Sequence, residues 1–193
     1  MGEVKQLISR LDNARNSNER LETLEKINAF CRSNAELGVQ FLTRIVELLH
    51  DEGTAEETQE CLDIIFKLMK FDPSQNHNNI IALLQDSSNV ELLLDMLEHE
   101  NITVAVMTSQ ILSQIHTQNP NALENAIQSC PNGMNKLLQR LPDRSKEEIS
   151  NQAIILVQQL TANNEEMKKT VAFNEVQTSD NRSIAMLIYR HSP

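Results

Sequence analysis

The chain has 193 residues, 40% of them apolar and 3% aromatic, with 17 basic against 27 acidic side chains and a formal charge of −10. That apolar content excludes a disordered chain, and the negative charge with no Trp leaves no basic, base-stacking surface, so nucleic acid is not an expected partner. Gly2, Gly38, Gly53 and Gly133 are too few and too scattered for a dinucleotide-binding GxGxxG or a P-loop, which excludes the usual nucleotide cradles.

Apolar residues recur at spacings of three and four along the whole chain. Leu7, Ile8 and Leu11 begin the pattern, and Leu21, Leu24, Ile27 and Cys31 continue it. Leu42, Ile45, Leu48 and Leu49 follow, then Leu62, Ile65, Phe66 and Met69. This period predicts helices over 3–14, 18–33, 37–51, 55–71, 77–86, 89–99, 102–118, 120–129, 133–141, 145–162 and 164–174, with no strand. Pro73, Pro120, Pro131, Pro142, Gly53 and Gly133 all fall at the junctions, where a fixed φ or a missing N–H costs least.

Displaced by 44 positions without a gap, the chain matches itself. Leu94 meets Leu138, Leu97 meets Leu141, Ile111 meets Ile155, and Leu112 meets Leu156. Asn119 then meets Asn163, Leu123 meets Met167 and Ile127 meets Val171. A looser copy upstream places Leu49 before Leu97 and Ile64 before Ile111. Periods of about 40–47 residues with two or three helices each mark armadillo and HEAT arrays, and three helices per unit favour armadillo. The predicted fold is therefore all-α, an armadillo/HEAT-like repeat solenoid over 1–175, with a divergent tail over 176–193 that is out of phase with the repeat. Each unit must stack on its neighbours to bury its apolar stripe, and the array presents an extended surface suited to binding proteins.

No catalytic constellation is legible. His50, His77, His99, His116 and His191 stand without a nucleophile and acid in a recognisable local pattern. His50 and His99 follow equivalent apolar pairs, where a side chain capable of positive charge suits helix C-terminal carbonyls. Glu56 with Glu57 and Glu147 with Glu148 follow Thr54 and Ser145, which suits helix N-termini rather than acid/base chemistry. Cys31, Cys61 and Cys130 form neither a CxxC nor a zinc pattern and read as buried thiols. No enzyme, cofactor or metal is implied. No apolar run is long enough to span a bilayer, no signal peptide is visible, and Gln6 breaks the myristoylation motif that Gly2 would start.

The charge is unevenly placed. Residues 1–100 hold 9 basic and 19 acidic side chains, whereas 101–193 hold 8 of each. Between Arg44 and Lys67 there is no basic residue, yet Glu47, Asp51, Glu52, Glu56, Glu57, Glu60 and Asp63 crowd one helix end and the start of the next. Asp51, Glu52, Glu56, Glu57, Glu60 and Asp63 form either a solvated hairpin or an acidic patch that steers a basic partner. In armadillo arrays the third helix of each unit lines the concave face. Alignment through Leu49, Leu97 and Leu141 then presents Thr43, Arg44 and Glu47, followed by Glu91 and Asp95, and then Asn135, Lys136 and Gln139, as the expected protein-binding surface.

The run LLLDMLEHENITVAVMTSQILSQI, the later run CPNGMNKLLQRLPDRSKEEISNQAIILVQQLTANNEEMKKTVAFNE, and the opening VKQLISRLDNARNSNERLETLEKINAFCRSNAELGVQFLTRIVELL resemble the N-terminal armadillo head of the general vesicular transport factors, the Uso-type Golgi vesicle tethers. The resemblance runs from about Val4 to Glu175. It implies a cytosolic protein, peripheral on Golgi and vesicle membranes, that helps dock transport vesicles in endoplasmic-reticulum-to-Golgi and intra-Golgi traffic before fusion. The implied partners are a Rab-type small GTPase, golgins, SNARE-associated machinery and a second copy through the head. The chain has no sustained heptads and no acidic terminus, so whatever a coiled coil and tail carry in that family is not expected from these residues. A generic armadillo/HEAT adaptor in another assembly is the alternative, although the absence of Trp counts against an importin-like version.

Overall fold

A computed structural model describes residues 2–51, 53–70, 73–139 and 147–177. These residues form α1 (Gly2–Asp12), α2 (Ser17–Ser33), α3 (Ala35–His50), α4 (Ala55–Lys70), α5 (Pro73–Leu84), α6 (Ser87–Met96), α7 (Ile102–Gln118), α8 (Pro120–Ser129), α9 (Gly133–Leu138), α10 (Glu147–Ala162) and α11 (Glu165–Gln177), with no strand among them.

Asparagine and aspartate side chains cap five of the described helices. Asn16, Asp86, Asn101 and Asn119 each accept a hydrogen bond from an amide in the first turn of α2, α6, α7 and α8, which satisfies one of the four N–H groups a helix leaves open. Asn164 does the same for α11, accepting from the amides of Glu166 and Met167. The working counterpart of Asn119 is thus Asn164. The 44-residue register holds in the core, where Leu123 and Met167 are both buried, as are Ile127 and Val171, and slips by one residue at the cap. Asn34 and Asn119 share one further device. Each has extended φ and its amide bonds back four residues, so a single residue ends one helix and begins the next.

The long helices α2, α4, α7 and α10 pack side by side in that order and form a spine. The shorter helices lie against it: α5 beside α8, and α6 beside α9. α3 touches both α5 and α6, so in the first unit one long helix does the work that two short ones share later. The units are therefore α2–α3, α4–α6, α7–α9 and the start of a fourth, α10–α11. α1 packs on α2 and α3 at the N-terminal end. The α8–α9 turn is tight. Asn132 takes a left-handed conformation (φ 57°), and a Cβ on Gly133 would come within 2.4 Å of the Ile127 carbonyl oxygen, which only glycine avoids.

Burial follows from the stacking. Leu62, Ile64, Ile65 and Leu68 of α4 are fully enclosed, as are Ile111, Leu112 and Ile115 of α7. Ile64 and Ile111 are both at 0% exposure, yet Ile155, aligned with them in α10, is 43% exposed. Among the described residues, α10 has α7 on one side and no further spine helix on the other. The expected tail over 176–193 lies almost wholly outside the described residues, and α11 runs on to Gln177, across the expected break.

This difference yields a paired test. Ile111→Ala should cost about 2–5 kcal/mol of unfolding free energy, whereas Ile155→Ala should stay within about 0.5 kcal/mol of the parent, as read by urea denaturation.

Candidate functional site

The residues expected to bind partners fall on one side of the array, on α3, α6 and α9, which neighbour each other in that order. Thr43 and Glu47 of α3 are exposed, as are Glu91 and Asp95 of α6 and Gln139 just beyond α9, while Asn135 is half-buried. Two cations tie this surface together. The Lys136 ammonium on α9 donates to Asp95 Oδ1 at 2.5 Å and to Glu91 Oε1 at 3.2 Å on α6, linking two successive units. The Asp95 hydrogen bond, backed by Glu91, holds the Lys136 pKa above its ordinary value. Arg44 donates through Nε to Asp12 of α1 at 2.7 Å and through a terminal nitrogen to Glu47 at 3.0 Å. Arg44 and Lys136 therefore serve the array itself as much as any partner.

Between α3 and the α5–α6 corner lies a groove of about 440 Å³ whose lining includes Thr43, Glu47, His50, Asp86 and Asn89, with buried Leu42, Val46 and Leu83 beneath. His50 Nε2 meets Asn89 Oδ1 at 3.0 Å, and Asn89 Nδ2 donates to the Leu83 carbonyl at 3.1 Å. His99 accepts the Asn101 amide at 3.0 Å through Nδ1. Position alone predicts that both histidines turn back to the carbonyls of their own helix; instead His50 meets Asn89 of α6, and His99 meets the amide of Asn101, the N-cap of α7. The packing of α3 against α5 and α6 brings Asn89 to His50, and the short turn from α6 to α7 brings Asn101 to His99. His77 has no described side chain and His191 lies outside the described residues.

The acidic stretch divides. Glu57 is buried, with its side chain 7% exposed; one carboxylate oxygen accepts from Arg20 Nε at 2.7 Å and the other from the Thr54 amide at 2.7 Å. The Glu57 amide in turn meets Thr54 Oγ1 at 3.3 Å, completing a reciprocal cap on α4. Burial pushes the Glu57 pKa upward, but the hydrogen bonds from Arg20, Thr54 and Ser17 together with the Arg20 charge outweigh it, and the net shift is downward. Asn28 of α2 donates to Glu60 and to Asp63 Oδ2 at 2.8 Å, and Lys67 donates to Asn28 Oδ1 at 2.7 Å and to Asp63. Glu57, Glu60 and Asp63 are consequently engaged between α2 and α4. Asp51 and Glu56 are exposed to solvent, and Glu52 lies outside the described residues, as do Ser145 and the side chains of Glu147 and Glu148.

All three cysteines are buried and free, and burial raises their pKa values, Cys31 to about 11 and Cys61 to about 12, so their thiols stay protonated and unreactive. No group of three or more His, Cys, Asp or Glu among these residues is placed to hold a metal ion, and none of their helices is long and apolar enough to cross a membrane.

No protein-family model matches the chain. The chain is 38% identical over 95 residues to golgin candidate 6 of Arabidopsis thaliana, covering 49% of this chain and 10% of that protein. It is 27% identical over 177 residues to the general vesicular transport factor p115 of Bos taurus, covering 84% of this chain and 18% of the relative. Human p115 matches at 26% over the same length. The crystal structure of Uso1-1 superimposes with a TM-score of 0.75 at 20% identity over 90% of this chain and 31% of that one. The fold is that of an armadillo-like head, and the chain spans under a fifth of the length of the relatives it matches.

The Glu57 pair has a pH signature. Its folded pKa is depressed, so the stabilisation is present above the ordinary glutamate value and is lost as pH falls through the lower folded one. Glu57→Gln should lower stability at neutral pH by about 1–2 kcal/mol, and the gap from the parent should close in acid when urea midpoints are compared across pH.

Proposed function

We propose that this chain, similar to the general vesicular transport factors over 84% of its length and to Uso1-1 in fold, is a protein-binding head of a vesicle tether. In this reading it acts without catalysis in endoplasmic-reticulum-to-Golgi and intra-Golgi transport, docking vesicles before fusion, and it is peripheral on Golgi membranes through protein partners. The observation that carries the reading is the collinear similarity to p115. By resemblance the partners are a Rab-type small GTPase, golgins, SNARE-associated machinery and a second copy of the head.

On this reading the row α3, α6 and α9 is the docking face, because its outward positions Thr43, Glu47, Glu91, Asp95, Asn135 and Gln139 are polar and follow one another across unit boundaries. Asp51 and Glu56 supply long-range steering, since they are exposed while Glu57 and Glu60 are engaged.

A panel of Golgi Rab-type GTPases, each GTP- or GDP-loaded, tests this with the full chain by calorimetry. The expected result is selective binding of a GTP-loaded member, weakened roughly ten-fold by combined Glu47→Gln, Glu91→Gln and Asp95→Asn. Absence of binding across the panel, with a diffuse distribution of the fluorescently tagged chain in cells, would instead favour a generic adaptor.

A further inference from the structure

The groove between α3 and the α5–α6 corner sets two carboxylates over an apolar floor. Leu42, Val46 and Leu83 are buried beneath it, and Glu47 and Asp86 stand on its walls with no Lys or Arg among the lining residues. Asn89 Nδ2 is committed to the Leu83 carbonyl, so its Oδ1 is the atom that meets His50 Nε2. The imidazole therefore donates through Nε2, which in the neutral form leaves Nδ1 an acceptor. Asp86 accepts from the Ser88 amide at 2.9 Å, and that bond, with the Ser88 hydroxyl behind it, lowers the Asp86 pKa and keeps the carboxylate ionised. Arg44 reaches Glu47 from outside the groove but is shared with Asp12, so the group Asp12, Arg44, Glu47 and Asp86 keeps a net negative charge.

The neighbouring groove makes the contrast. It is of similar size, about 430 Å³ between α5 and α8, and its lining includes Ile81, Leu84, Val90 and Ala126 with no ionisable side chain. The acidic pair Glu91 and Asp95 differs in another way, since Lys136 bridges both carboxylates. The α3–α5–α6 groove combines volume, apolar floor and carboxylates with no internal cation among its lining.

We propose that this groove docks an arginine side chain from an extended basic segment of a partner protein, the aliphatic stem lying on Leu42, Val46 and Leu83 and the guanidinium facing Glu47, Asp86 and His50. Arginine suits it because its planar guanidinium spreads five donors toward separate acceptors, more than the lysine ammonium carries, while its stem can cover the apolar floor. This rests on the protein-binding reading of the same surface and names the chemistry it selects.

The probe is a capped peptide of alternating arginine, glycine and serine, with the citrulline version as its neutral isostere, titrated into the full chain by methyl NMR. The expected result is saturable shifts at Leu42, Val46 and Leu83, binding by the arginine peptide alone, and a roughly ten-fold loss with Glu47→Gln plus Asp86→Asn. Asparagine still caps α6, so the variant keeps its fold. Glu91→Gln plus Asp95→Asn should leave binding unchanged. No binding, equal binding of the citrulline peptide, or equal weakening by both variant pairs would overturn the proposal. Peptide binding without Rab selectivity removes the tether reading and keeps the groove, and the converse removes the groove alone.

Discussion

The structure depends on spine helices that pack against two spine neighbours at once. α4 encloses Leu62, Ile64, Ile65 and Leu68 against both α2 and α7, and α7 encloses Ile111, Leu112 and Ile115 against both α4 and α10. Such a helix is stable only between two others, so α2, α4, α7 and α10 hold each other in a row and no unit stands by itself. Ile155 shows the same rule from the opposite side: where the row has no further member among the described residues, the equivalent position meets solvent.

Apolar stacking sets proximity, and polar ties set register. Asn28 gathers Glu60, Asp63 and Lys67 across α2 and α4, and Arg20 fixes Glu57 at the start of α4. The last carbonyls of α4 receive side-chain donors from later helices, Leu68 from Asn79 at 3.3 Å and Met69 from Gln118 at 2.6 Å. Glu124 then joins α8 to the α11 cap, accepting from Asn164 at 2.7 Å and meeting His116 Nε2 at 3.3 Å. Glu57, Glu60 and Asp63 of the acidic stretch are thus employed inside the array, while Glu47, Asp51 and Glu56 remain exposed.

The helices and their repeat were legible because both are local. A period near 3.6 and a shift of 44 residues need no knowledge of what faces what, and Leu112 with Leu156 or Leu123 with Met167 are buried as the repeat requires. The fusion of two short helices into α3 left no mark in the apolar period, since one long amphipathic helix reads the same whether it meets one neighbour or two. The division of the acidic stretch was hidden for a related reason: Glu56 and Glu57 are adjacent in sequence, but only Glu57 faces Arg20, a partner 37 positions away. The Thr54-to-Glu57 spacing of a reciprocal cap was the one local signal that set Glu57 apart. For the groove, Thr43 and Glu47 came from the repeat alignment, while Asp86 and Asn89 come from the corner that the chain turns to reach α6.

Native-state hydrogen exchange across the whole chain tests the account at its centre. If a doubly packed spine governs stability, amides in α4 and α7 should open only with global unfolding, and protection should fall toward α1 at one end and α11 at the other. Protection in α7 no greater than in α11 would contradict it.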